Sequence, residues 1–423
     1  MNSIISSKAM SPFSKGHQHQ RKFQSILSEA AGLFNWQGSR ATTLTDIAGS
    51  MKLTKTCVYY YVKTKEDLIY QCYVASCDMW LAQARQAAAL EANGLDKIVA
   101  MVRGHFDQYV KALNGVAPHF AMLTEISSLD DAHAADIKVR WQEIFGLCEK
   151  MVKQGIEEGV IENLDPAVIC TGVFAIPQWF PVWLNRSHAA NPEPVIEAVL
   201  DILVNGLSVQ CHEFTNIEFP EINNLSIDSF DRDFQNRLKR EAFYRVGAIY
   251  FNQKGFKGTS LDEIASSLDV TKGAFYYHIK NKEELLYQCF NRTLDVEKTL
   301  LTEAGKIEET GLKKVELSLR YLFNVQFTDE GPLIRYRSLP SLDEEHRKNI
   351  LKATKKNSGK LGAYIRQGFE DNTLRKIDAD VAQHMLSGAV EVSPDLAEWV
   401  ADANCPELSA SYFHLFINGL SAK

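Results

Sequence analysis

The stretch Thr42–Cys72, TTLTDIAGSMKLTKTCVYYYVKTKEDLIYQC, returns as TSLDEIASSLDVTKGAFYYHIKNKEELLYQC at Thr259–Cys289. Aligned without gaps at an offset of 217, Phe34–Cys72 and Phe251–Cys289 share 19 of 39 residues. Composition does not generate such agreement, so the chain must be read as two copies of one unit. Fainter matches extend the repeat. SSLDDAH at Ser127 answers PSLDEEH at Pro340, GIEEGVIENLD at Gly155 answers GFEDNTLRKID at Gly368, and VNGLS at Val204 answers INGLS at Ile417, all at an offset of 213. The offset falls from 217 to 213, so the second copy is four residues shorter somewhere between its motif and its body.

With 423 residues, 45% of them hydrophobic and 23% charged, the chain has material for two or more globular domains with their own cores. No run approaches 18 apolar residues, so no bilayer span is expected, and Ser3–Gln20 lacks the apolar core of a secretion signal. The expected location is the cytoplasm, with no membrane partner. The eight cysteines form no CxxC pair and no Cys/His set at ligand spacing, which argues against a disulfide framework, a metal site or a bound cofactor. Cys57 stands inside the motif. The net charge of −7 is unevenly spread. Residues 1–80 hold nine basic against five acidic side chains (+4) and residues 232–290 ten against seven (+3), so the remainder sums to −14. Positive charge lies on the repeated modules, as a phosphate-facing surface requires.

Hydrophobic spacing is helical throughout and no strand pattern is found. Residues 1–18 read as a flexible basic arm. Phe23, Ile26, Leu27, Ala30, Leu33 and Phe34 give a first helix over Gln20–Trp36, ended by Gly38. Thr43 is an N-cap with Asp46 in capping-box position, opening a short helix that buries Leu44, Ile47 and Ala48. Thr54 caps a third helix from which Val58 points inward, and a long fourth begins at Lys65. Further helices are expected over Leu95–Leu113, Pro118–Leu129, Asp131–Glu158, Asp165–Asn185 and Pro192–Cys211. Asp378–Asp402 and Pro406–Ser421 repeat the last two. Pro177 and Pro181 should kink or break their helix, since each removes a donor and crowds the preceding turn. Residues 212–231, aperiodic and containing Pro220, read as the linker.

Two short helices joined by a tight turn form a helix-turn-helix, whose second helix reads base edges in the major groove. The third helix suits that role. Thr54 and Thr271 offer hydroxyls at its start, Lys55 and Lys272 add charge, and Thr56, Cys57, Gly273 and Ala274 are small enough for close approach. Tyr59, Tyr60 and Tyr61, matched by Tyr276, Tyr277 and His278, can reach phosphate oxygens or thymine methyls, and Lys65 and Lys282 follow. Tyr59 and Tyr276 are expected to be partly buried.

TSLDEIASSLDVTKGAFYYHIKNKEELL resembles the N-terminal DNA-binding domain of TetR-family (tetracycline-repressor-like) transcriptional regulators, over about 50 residues in each half. The resemblance implies an all-α fold of two tandem units, each a three-helix DNA-binding domain with a larger helical domain that binds a small molecule and dimerises. The units map to 1–66 and 67–211, then, after the linker, 232–283 and 284–423. Implied DNA contacts are Thr43, Thr54, Lys55, Thr56, Tyr59, Tyr60, Tyr61 and Lys65, and Ser260, Thr271, Lys272, Gly273, Tyr276, Tyr277, His278 and Lys282. The first copy departs from the family pattern at Thr56 and Val62, and the difference between Thr56-Cys57-Val58 and Gly273-Ala274-Phe275 predicts two unlike half-sites in an imperfect palindrome. Because family members dimerise through their last two helices, the two halves are expected to form an intramolecular pseudo-dimer, with or without further self-association.

A hydrophobic effector pocket is expected in each half. Candidate lining residues are Phe106, Phe120, Trp141, Phe174, Trp179 and Trp183, then Phe323, Tyr336, Tyr364 and Trp399, with the proline-bearing IPQWFPVW segment foremost. The LDPAVI pattern resembles regulators of lipid and steroid catabolism, implying an acyl-CoA effector. No nucleophile elbow, phosphate loop or paired carboxylates support an enzyme. The alternative is a DNA-binding protein without a small-molecule effector, constitutive or gated by a protein partner.

Overall fold

The computed structural model describes residues 15–123, 126, 129–220, 232–400 and 406–422. The first half comprises α1 (Lys15–Ala41), α2 (Leu44–Ser50), α3 (Lys55–Tyr61), α4 (Lys65–Ala88), α5 (Gly94–Leu113), α6 (Asp131–Glu157), α7 (Pro166–Trp183), α8 (Arg186–Ala190) and α9 (Glu193–Asn205). The second comprises α10 (Arg232–Gly258), α11 (Leu261–Ser267), α12 (Lys272–His278), α13 (Lys282–Lys306), α14 (Gly311–Val325), α15 (Glu344–Glu370), α16 (Ala379–Val392) and α17 (Pro406–Ile417). Two 3-10 turns, Tyr336–Ser341 and Ser393–Glu398, complete it. The fold is all-α, and β structure among the described residues is limited to two isolated bridges.

The order of elements repeats, and the missing residues fall at the end of the fifth helix: α5 has 20 residues and α14 has 15. The core repeats as well. A Cβ on Gly94 would lie 2.2 Å from the Gly155 nitrogen, and one on Gly311 2.0 Å from the Gly368 nitrogen. Both units therefore cross α5 on α6, or α14 on α15, at a glycine pair with backbones almost touching, which explains the glycines that open the matched Gly155 and Gly368 segments.

The halves join as a four-helix bundle in which α7 and α9 pack on α16 and α17. At its end the VNGLS and INGLS segments meet one another. Leu207 N donates to Ile417 O (2.9 Å), Ser208 N to the same oxygen (2.8 Å), Leu420 N to Leu203 O (2.9 Å) and Ser421 N to Val204 O (3.0 Å). The bridges pair Ile161 with Ser421 and Ser208 with Leu374. Adding 213 to Ile161 gives Leu374, and adding it to Ser208 gives Ser421, so the two bridges are one contact made twice about a pseudo-twofold axis.

Several sequence expectations need correction. The helix expected over Pro118–Leu129 is absent from residues 118–123, where side chains claim the backbone donors. His119 N bonds Ser28 Oγ (2.9 Å), Ala121 N bonds Ser76 Oγ (2.8 Å) and Met122 N bonds Asn35 Oδ1 (2.9 Å). The second half repeats this with Asn252, which takes Arg335 N at 3.0 Å. Helix α7 continues through Pro177 and Pro181 to Trp183 without a break. Four residues apart, the prolines lie on one face, and burial among α5, α6, α16 and α17 holds the remaining turns. This helix is long and apolar enough to cross a membrane by length and composition, yet it is the buried centre of the bundle. Helix α9 stops at Gly206, short of Cys211, and α16 gives way to a 3-10 turn at Ser393 rather than reaching Asp402.

The first nine residues of the expected linker are not loose. His212 exchanges two hydrogen bonds with the Asn418 side chain (2.8 and 2.9 Å), and its ring reaches buried Glu316 at 2.9 Å. Residues 221–231, and the arm over residues 1–14, lie outside the described residues.

Candidate nucleic-acid interface and the cavity between the halves

Each head is built by caps. Thr43 and Asp46 bond reciprocally, Thr43 N to Asp46 Oδ2 at 2.7 Å and Asp46 N to Thr43 Oγ1 at 3.1 Å, holding the Asp46 carboxyl below its usual range. Ser260 accepts from Glu263 N in the same place. Thr54 accepts from Cys57 N at 3.3 Å and Thr271 from Ala274 N at 3.2 Å, so both hydroxyls keep their own hydrogens to donate outward.

One residue of each recognition helix points inward, Val58 or Phe275, both fully buried. The opposite face is open. Tyr60 is 73% exposed and Tyr277 81%, while Tyr59 and Tyr276 are about half covered at 46% and 44%. Exposed aromatics of this size, beside Lys55, Thr56, Lys272 and Gly273, form one surface on each head. Nothing lies within 4 Å of a Cβ on Gly273, so Thr56 differs from it only on the outward side.

The two surfaces differ in ways the motif alone does not show. Lys272 pairs with Asp262 at 2.5 Å, and Tyr276 reaches the same carboxylate at 3.4 Å. The first copy has Thr45 in place of Asp262, and Lys55 lies over the Tyr59 ring at 5.6 Å. Tyr61 sits among rings, stacked on Phe23 at 6.2 Å and beside His19 at 4.6 Å. Its counterpart His278 packs on Phe243 at 5.7 Å, and burial together with Arg240 and Lys239 lowers its pKa. Lys282 does not extend freely: its ammonium donates to Thr259 O at 2.9 Å and Lys257 O at 3.3 Å, closing α10. Lys65 is likewise half-buried at the start of α4.

The heads also touch. Lys257 at the end of α10 pairs with Glu66 of the first head at 3.1 Å. Gly38 abuts Pro340 from the opposite half so closely that a Cβ would stand 2.4 Å from the proline Cβ.

A cavity of about 170 Å³ opens between the halves. The first half supplies Ser76, Trp80, Phe120, Met122, Trp141 and Trp179, and the second Arg335, Tyr336, Arg337, Glu391, Asp395, Glu398 and Trp399. Five of the ten expected lining residues thus meet there: Phe120, Trp141, Trp179, Tyr336 and Trp399. The others lie elsewhere. Phe106, Phe174 and Phe323 are packed in the core, Trp183 stacks on His384 at 4.9 Å, and Tyr364 donates to Leu301 O at 2.7 Å. The lining joins the halves at Trp179–Tyr336 (5.2 Å), and beside it Phe145 stacks on Trp399 at 3.9 Å.

The cavity's charged wall was missed from the sequence. Arg335 grips Asp395 through two bonds, one of 3.2 Å to Oδ2 and a shorter one to Oδ1. Glu391, whose carboxyl burial pushes up, accepts from the backbone of Tyr336 and Arg337. Periodicity gives no sign of such a wall, because Arg335 and Arg337 fall in an irregular segment just before a 3-10 turn.

Two exposed recognition surfaces on helix-turn-helix heads, carried by a bundle that fixes their relation, define a double-headed DNA-binding protein of the helix-turn-helix class. Residues 244–289 match the family model for bacterial regulatory proteins of the tetR family, and residues 91–207 the model for the tetracyclin repressor-like C-terminal domain. The chain belongs to the TetR family of transcriptional regulators, with two units in tandem. It is 28% identical over 148 residues to the Transposon Tn10 TetC protein of Escherichia coli, covering 33% of this chain and 70% of that one. It is 25% identical over 138 residues to the biofilm operon icaADBC HTH-type negative transcriptional regulator IcaR of Staphylococcus aureus strain Newman, covering 32% and 72%. Among solved structures, the TetR-family regulator PfmR of Thermus thermophilus aligns with a TM-score of 0.36 at 22% identity, covering 42% of this chain and 92% of that one.

Proposed function

We propose that this regulator is a repressor that acts as an intramolecular pseudo-dimer in the cytoplasm, binds an operator of two unlike half-sites, and is released by one hydrophobic ligand per chain. The observation that carries the reading is the position of the cavity. Its wall includes Tyr336, the first residue of the 3-10 turn that presses Pro340 against Gly38 of the first head. A ligand that alters this wall alters how the heads are held, so its differential affinity for two head arrangements sets operator affinity. The cavity accommodates one or two rings, judged against the roughly 150 Å³ that holds benzene in an engineered case. An acyl-CoA would place only its acyl end inside.

The DNA contacts we assign are Thr43, Thr54, Lys55, Thr56, Tyr59, Tyr60, Tyr61 and Lys65 in the first head, and Ser260, Thr271, Lys272, Gly273, Tyr276, Tyr277, His278 and Lys282 in the second. Lys282 acts by fixing the end of α10 as well as by its charge. Unlike half-sites are supported by the outward methyl and hydroxyl of Thr56 in place of a bare Gly273, and by Lys272 being paired with Asp262, for which the first copy has Thr45. The test is selection of bound DNA, then footprinting of Tyr60→Ala and Tyr277→Ala. Each substitution should weaken protection of a different half-site, by about 1–3 kcal/mol if a base edge is read. A symmetric operator with equal losses would sink the two-half-site reading.

A further inference from the structure

One side of the cavity wall carries donors with capacity to spare. Arg337 lines it with a guanidinium whose pKa burial and neighbouring Arg335 pull down to about 10, and among the described residues that group makes one hydrogen bond, to Asn252 O at 3.0 Å. Arg335 is 7% exposed; its other two nitrogens grip Asp395, while its buried Nε makes no hydrogen bond and faces Glu391 Oε1 at the longer ion-pair distance of 3.7 Å. The indole Nε1 of Trp179 is also buried without a partner. Trp179 Nε1 is thus unmatched, Arg335 Nε meets only the longer ion-pair contact, and Arg337 has nitrogens beyond the one that bonds Asn252. The nearest acceptors are engaged, Asp395 by Arg335 and Glu391 by the backbone of Tyr336 and Arg337 and by the ion pair with Arg335, while Glu398 stands at the exposed rim, its pKa raised by burial and by Asp395. A buried donor left without an acceptor is unfavourable, and a bound group that supplies the acceptor relieves it.

The remaining wall is mostly apolar and carries six aromatic side chains, among aliphatic residues such as Leu123, Ile126 and Val392. Trp80, Trp141, Trp179, Tyr336 and Trp399 present ring surface to a space of about 170 Å³, which suits a flat ring system better than a flexible chain. We propose that the effector is a planar aromatic compound of one or two rings bearing a carbonyl or carboxylate oxygen, with its oxygen on Arg337 and the Trp179 N–H and its rings among the tryptophans. This assignment rests on the reading of the cavity as the effector site. Carbonyl and carboxylate share the acceptor chemistry that the donors recognise, and the experiment separates them.

The test is calorimetry on the full chain with four probes of one ring size: 2-naphthoate, 2-acetylnaphthalene, naphthalene and 2-naphthylmethylammonium. The two oxygen-bearing probes should bind once per chain and at least tenfold more tightly than naphthalene. Naphthoate ahead of acetylnaphthalene marks a carboxylate ligand, and the reverse a neutral carbonyl. Arg337→Gln and, separately, Trp179→Phe should cut that preference over naphthalene by five- to tenfold or more. The ratio within each variant remains readable even where overall stability falls. The proposal is overturned if the ammonium probe or naphthalene binds as tightly as the oxygenated pair, if two molecules bind per chain, if none of the four binds, or if the preference survives both substitutions. Operator release is read in parallel on the selected DNA. Oxygenated probes that bind as described but leave DNA bound would refute ligand gating while the ligand class stands. Release by them that ignores Arg337 and Trp179 would refute the class while gating stands.

Discussion

Gly206→Ala tests whether contact between the repeated VNGLS and INGLS segments holds the halves together. Gly206 adopts φ 71 and ψ −173, a region open essentially to glycine alone, and forcing alanine there costs about 1–3 kcal/mol. The added methyl would also stand 2.3 Å from the Asn418 carbonyl carbon, 2.4 Å from Gly419 N and 2.5 Å from Ile417 O. None is the end of a flexible side chain, so the crossing strands must separate. Ile417 O accepts from both Leu207 N and Ser208 N, and losing two such buried bonds costs about 0.5–1.5 kcal/mol each. The total is about 2–6 kcal/mol. Gly159→Ala is the control, because Gly159 has φ 72 but nothing within 4 Å of a Cβ; it should lose only the backbone component, about 1–2 kcal/mol. The assay is urea unfolding followed by circular dichroism, with Gly419→Ala and the double variant alongside. Gly206 and Gly419 abut, so the double variant should lose less than the sum of the singles. Equal midpoints for Gly206→Ala and Gly159→Ala, or strict additivity, would refute the claim that this crossing holds the pseudo-dimer.

Two further outcomes follow from the interior. His105 is fully buried with neither ring nitrogen bonded, and burial pulls its pKa down to about 3. The unfolded chain takes up this proton below about pH 6.5 while the folded chain does not, so the stability this group confers is full above pH 6.5 and lost as pH falls towards 3. Between pH 7 and pH 4 the stability of His105→Leu should therefore gain on the parent by about 3 kcal/mol, from roughly 2.5 pKa units at 1.36 kcal/mol each; parallel pH profiles would contradict it. Pro340→Ala removes the ring edge pressed on Gly38. Ligand affinity measured by calorimetry should hold, while ligand-driven operator release should weaken by about 1 kcal/mol, roughly fivefold; unchanged release would exclude this contact as a coupling route.

Much of the molecule was legible in the chain because local rules suffice for it. Thr43 with Asp46, and Thr54 before Val58, specify helix starts through hydrogen bonds spanning three residues, and the structure keeps them. The repeat fixed two units, and the spacing of apolar residues fixed their helical character. Where neighbours distant in sequence decided, local rules failed. Residues 118–123 lost their helix because Ser28, Ser76 and Asn35 took their backbone donors. The prolines of α7 did not break it because four packed helices enclose it. The effector pocket was expected twice, from aromatic content, but among the described residues the aromatic cavity found lies between the halves. In the second half, Glu297 and Thr354 replace the pocket-lining Trp80 and Trp141.

The sequence by itself determined that one helical unit is present twice, that each carries a recognition helix ending in exposed aromatics, and that the two heads differ at Thr56, Cys57 and Val58. Those are properties of residues within a few turns of one another. Only the tertiary structure decided that VNGLS meets INGLS across a pseudo-twofold axis, that Asp262 restrains Lys272 while Lys55 has no such partner at Thr45, and that Arg337 faces the cavity with donors to spare. Each of these depends on side chains brought together by packing, and packing is fixed by the shape of the whole core rather than by any local pattern.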